Sequence, residues 1–67
     1  MHSTDAQVAP EVREIEALAE KAQVPMSRVL DRAGVSLTTY WRWRHAGSEP
    51  KVGTIRKLRA ALNELAA

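Results

Sequence analysis

Pro25 and Gly34 fix most of what this chain is able to fold into. Proline disfavours helical geometry in the residue before it, so Val24 closes whatever precedes, and Pro25 itself is well placed to open a new helix. Gly34 then falls where a helix ends in a left-handed cap, and Ser36 is a good N-cap for the helix that follows. Two turns so close together leave room for short helices only. The remaining breaks agree: Pro10 suits a first helical position, and Gly47-Ser48-Glu49-Pro50 is a loop by composition, with Thr54 or Gly53 beginning the final helix.

The apolar residues recur with helical spacing between those breaks. Val12, Ile15, Leu18, Ala19 and Ala22 share one face of a first segment, and Val29, Leu30 and Ala33 share one face of a second. Ile55, Leu58, Leu62 and Leu65 form a stripe along the last, with Arg56, Lys57 and Arg59 outside it. Four helices are predicted, over about residues 10–22, 25–33, 37–46 and 54–66, and a fifth is left open. No period-two alternation suggests a strand, so the fold class is a small all-α domain over residues 9–67. Residues 1–8 are polar and aperiodic and read as a flexible arm.

At 67 residues the chain holds one domain, whose core supplies only about 3–5 kcal/mol. It contains no cysteine, which removes disulfides and thiolate metal sites and makes a reducing, cytoplasmic setting the expectation. His2 and His45 are too few and too distant to hold a metal, and no cofactor is expected. No run reaches the ~18 apolar residues of a membrane span, and the first residues lack the basic start and apolar stretch of a signal peptide.

Net charge is +2, yet residues 1–23 carry five acids against two bases, and residues 24–67 carry eight bases against three acids. The basic half also contains Thr38-Thr39-Tyr40-Trp41-Arg42-Trp43-Arg44-His45, which holds every aromatic ring of the phenol and indole types in the protein. A basic region built around aromatics points to a polyanionic partner; a solvated helix face is the plainer alternative.

Tyr40 and Trp43 lie three apart, as two inward residues of a helix should. With roughly 100° per residue and Tyr40 and Trp43 facing the core, Thr38, Trp41, Arg42 and His45 point outward, and Leu37 and Arg44 lie on a flank. The predicted core therefore includes Leu30, Tyr40, Trp43, Leu58 and Leu62. The opposite phase, with Trp41 partly buried, requires shifted helix boundaries. An outward stripe of Thr, Trp, Arg and His is suited to base edges, thymine methyls and phosphates in a major groove. His45 near a helix end also suits the local dipole without any partner. No nucleophile lies beside a base and no glycine-rich phosphate loop occurs, so no enzymatic activity is expected.

Val29-Leu30-Asp31-Arg32-Ala33-Gly34-Val35-Ser36, with Thr38-Thr39-Tyr40, Arg42-Trp43-Arg44 and Gly47, resembles the helix-turn-helix of the lambda repressor-like (Cro/repressor, XRE) family. The segment Thr54 to Leu62 resembles the helix that follows in that family. Three positions depart from its pattern: Leu30 stands where alanine is usual, Met26 where a phosphate-binding glutamine is common, and the loop from Ala46 to Val52 is longer.

The resemblance implies a bacterial or phage regulator whose third helix enters the major groove of double-stranded DNA. It places Leu37, Thr38, Trp41 and Arg42 toward bases. His45 and Ser48 fall near the backbone or a base, Thr54 at a phosphate, and Arg44 and Lys51 at the backbone or flank. The expected function is transcriptional repression by occupying an operator. An inverted repeat bound by two copies is the expected site, with a monomer in solution open. The alternatives are a protein-interaction module, such as an antitoxin or adaptor, and an accessory factor that bends DNA.

Overall fold

The computed structural model describes residues 8–67. It contains four helices: α1 (Pro10–Lys21), α2 (Met26–Ala33), α3 (Leu37–His45) and α4 (Val52–Ala66). No strand occurs among the described residues, so the fold is a small all-α domain.

Local chemistry accounts for the helix ends. Pro10 opens α1 where a missing N–H costs nothing, and Glu11 in the first turn and Lys21 in the last oppose the helix dipole. The helix closes through Gln23, whose φ is 61°. Gln23 donates its N–H to the Glu20 carbonyl at 3.0 Å, and Val24 donates to Ala19 at 2.9 Å. That double closure is a Schellman motif. The end of α2 repeats it with the expected residue: Gly34 has φ 77° and ψ 27°, and Val35 donates its N–H to Leu30 at 2.9 Å. Ser36 then caps α3. Its Oγ accepts from the Thr39 N–H at 3.1 Å and donates to Thr39 Oγ1 at 2.9 Å.

Packing is dominated by α2 and α1 against α4. Val12, Ile15 and Ala19 of α1, Val29 and Leu30 of α2, and Leu58, Ala61 and Leu62 of α4 are buried together. α3 contributes one buried residue, Trp43. The core is thus a three-helix base onto which α3 packs through Trp43, with Tyr40 partly buried beside it. Leu30, larger than the alanine usual in the resembled family, is fully accommodated at 1% exposure.

The predicted elements match the helices within one residue except at α4, which begins at Val52 rather than Thr54. Lys51 accepts the Ile55 N–H at 3.0 Å, and Gly53 occupies the first turn, where its N–H needs no intrahelical partner. The arm expected over residues 1–8 lies outside the described residues except for Val8, which is buried beside Ala9 in the core. Leu18, expected on the buried face of α1, is 42% exposed. It sits at the edge of the apolar stripe, beside Leu62 and Ala66 near the end of α4, and no further described element covers it. Ala22 has passed the helix end and is also exposed.

Candidate nucleic-acid interface

α3 is fixed from its inner side. Trp43 is buried, and Tyr40 meets it edge to face with ring centroids 6.2 Å apart and planes at 87°. Of the five predicted core residues, Leu30, Trp43, Leu58 and Leu62 are buried, and Tyr40 is half-buried. The Tyr40 hydroxyl donates to Glu16 Oε2 of α1. Arg44, one turn further along α3, donates from Nη1 to Glu16 Oε1 at 2.9 Å. One carboxylate therefore clasps two side chains spaced by four residues, which a helix sets on one face. Burial, and then the hydrogen bond to Glu16, raise the Tyr40 phenol above its usual pKa.

Periodicity assigns Thr38, Trp41, Arg42 and His45 to the outer side and Leu37 to a flank, and all five are exposed. Leu37 is 67% and Trp41 57% exposed, and Thr38, Arg42 and His45 are exposed with them. Trp41 and His45 lie one turn apart and stack, with centroids 4.9 Å apart and planes tilted by 37°. α3 contains no acidic residue. The Arg42 guanidinium holds no ion pair among the described residues.

The flanking residues divide. Arg44 is turned inward: its pair with Glu16 leaves the two side chains only 25% and 22% exposed. Ser48 is exposed, and its N–H reaches back to the Arg42 carbonyl at 3.4 Å. Lys51 is the N-cap position of α4, and Thr54 is half-buried in the first turn. Lys51 and Thr54 line one wall of an open cleft of about 490 Å³, and Ser36, Thr39 and Trp43 of the α3 start and core line the other. In the sequence Ser36 is legible only as an N-cap. The convergence of the two first turns escapes sequence reasoning, because it depends on the path of the loop between α3 and α4. Leu37 borders a different groove, with Ser27 and Asp31 of α2.

Ion pairs elsewhere neutralise acids. Glu64 pairs with Arg32 at 2.6 Å and Glu14 with Arg59 at 2.8 Å. The hydrogen bond from Arg59 lowers the Glu14 pKa. Both pairs are exposed and screened by water, so they add little stability. Arg13, Lys21, Arg28, Arg42, Lys51, Arg56 and Lys57 remain exposed without an ion pair among the described residues. No group of three His, Asp or Glu side chains suited to a metal occurs among the described residues, and no helix there is long and apolar enough to cross a membrane.

Compared with known protein families, curated proteins and solved structures, the chain matches none.

Proposed function

We propose that this protein binds double-stranded DNA sequence-specifically, inserting α3 into the major groove, and represses transcription by occupying an operator. One observation carries the reading. The outward side of α3 combines Thr38, Trp41, Arg42 and His45 with no acid on the helix, while its inner side is anchored by Trp43 and the Glu16 clasp. A recognition element has to be rigid behind and adaptable to base edges in front. The helix-turn-helix pattern and the likeness to the lambda repressor-like family support the same assignment.

Arg42 and Thr38 form a polar row for guanine and adjacent acceptors. Lys51, at the cleft beside Thr54, supplies a phosphate contact that fixes register without carrying sequence information. Arg44 serves the fold through Glu16 and only secondarily the DNA. One such helix reads too few base pairs for selectivity, so two copies occupy an inverted repeat with half-sites about one helical turn apart.

Exposure of Leu37 and Trp41 also favours a second reading, a surface for a protein partner, because exposed aromatic anchors are common at such interfaces. Selection from random duplex DNA separates the two. The DNA reading requires an enriched, repeated motif; absence of any enrichment removes it and leaves the protein interface.

A further inference from the structure

The outward side of α3 is not uniform. Leu37, Trp41 and His45 follow one another at four-residue intervals, and Thr38 and Arg42 form the neighbouring row. The first row is apolar at two of its three positions, with Leu37 67% and Trp41 57% exposed. His45 stacks on Trp41 at 4.9 Å. Large apolar groups held in water on a helix that otherwise offers arginine and threonine call for an apolar group on the partner.

We propose that Leu37 and Trp41 are thymine readers that pack against the 5-methyl groups of thymine in the major groove. The proposal rests on the DNA-binding reading and adds the base class that the apolar row selects. In the major groove the thymine methyl is the apolar feature that distinguishes one base edge from the others. Charge complementarity favours DNA: Arg42 lies in the adjacent row and Arg28 and Lys51 are exposed on the neighbouring elements, outnumbering the exposed acids Asp31 beside Leu37 and Glu49 beside Lys51. Spacing agrees as well. Four residues rise about 6 Å along a helix, close to two base-pair steps of about 3.4 Å each, so the two side chains address bases about two steps apart.

The test replaces each thymine of a selected duplex, one at a time, by uracil, which keeps the hydrogen-bonding edge and deletes only the methyl. Burying one methyl corresponds to roughly a four-fold change in affinity. Two positions about two steps apart should each weaken binding by that factor. Leu37→Ala should abolish the penalty at one of them and Trp41→Ala at the other. Both side chains are exposed, and the uracil series on the unaltered protein does not depend on how either variant folds. Specific binding with no uracil penalty at any position overturns the proposal and leaves the DNA reading intact. A penalty that persists undiminished in both variants overturns it as well. If no duplex is selected, the DNA reading falls and this proposal with it.

Discussion

Tyr40 and Trp43 meet edge to face on the inner side of α3, 6.2 Å between centroids, and Trp43 is that helix's one buried residue. The phase of the helix hangs on this pair. Removing the Trp43 indole should cost roughly 3–5 kcal/mol, comparable to the whole stability of so small a domain. Trp41→Ala, at an exposed position, should change stability by no more than about 0.5 kcal/mol. Circular dichroism melting of both variants checks this. An unfolded Trp41→Ala beside a normally melting Trp43→Ala would place the wrong side of α3 outward.

Tyr40→Phe should destabilise the fold by about 1–2 kcal/mol at neutral pH, the usual range for a hydrogen bond to a charged acceptor after allowance for partial exposure. It should also change the alkaline limb. Because the folded phenol's pKa is raised above its unfolded value of about 10, the Tyr40 contribution is intact below pH 10. It is lost progressively as pH rises beyond that toward the folded value. Urea denaturation from pH 8 to 11 should show a steeper loss for the unaltered protein than for Tyr40→Phe. Parallel curves would mean that the Glu16 clasp does not hold the phenol.

The two Schellman-type turns predict substitutions of opposite sign. Gln23 has φ 61°, a conformation that costs an L side chain roughly 1 kcal/mol, and Gln23→Gly should raise stability by about 0.5–1 kcal/mol. Gly34 has φ 77° with open space around it, so Gly34→Ala should lower stability by about 1 kcal/mol through backbone strain alone. Thermal melts of the pair decide it. Equal shifts in one direction would contradict the left-handed geometry at one of the turns.

Part of this architecture is legible in the sequence. The Gly34-Val35-Ser36 turn and the two faces of α3 depend on residues within a few positions of one another, so local propensity and helical periodicity expose them. The Glu16 clasp joins residues 24 and 28 positions apart, and no local pattern announces it; periodicity therefore places Arg44 only on a flank of α3. Val8 looked like part of a polar arm because its burial depends on where the chain before α1 packs. The start of α4 at Val52 lies ahead of Gly53 and Thr54, the residues with helix-start character, because its N-cap Lys51 makes no side-chain cap. Gln23 gave no hint of its left-handed backbone, which the neighbouring closure imposes.

Arg42→Ala and Lys51→Ala should differ in kind. Arg42 is proposed to reach guanine, so its loss should cost ~1–3 kcal/mol on the selected duplex and relax preference at one position; loss of Lys51 should weaken all duplexes similarly. Titrations on selected and unrelated duplexes measure both. Matching losses on both duplexes for both variants would remove the division of roles between α3 and the α4 start.

The central claim is that a basic, aromatic helix face binds DNA by sequence, and a salt titration of the unaltered protein tests it most directly. Affinity for the selected duplex and for an unrelated one is measured over a series of salt concentrations. Log affinity should fall linearly with log salt, with a slope of about −0.9 for each phosphate neutralised. The selected duplex should be held at least about a thousand-fold more tightly than the unrelated one. Affinity that ignores salt, or that is equal for the two duplexes, would contradict it.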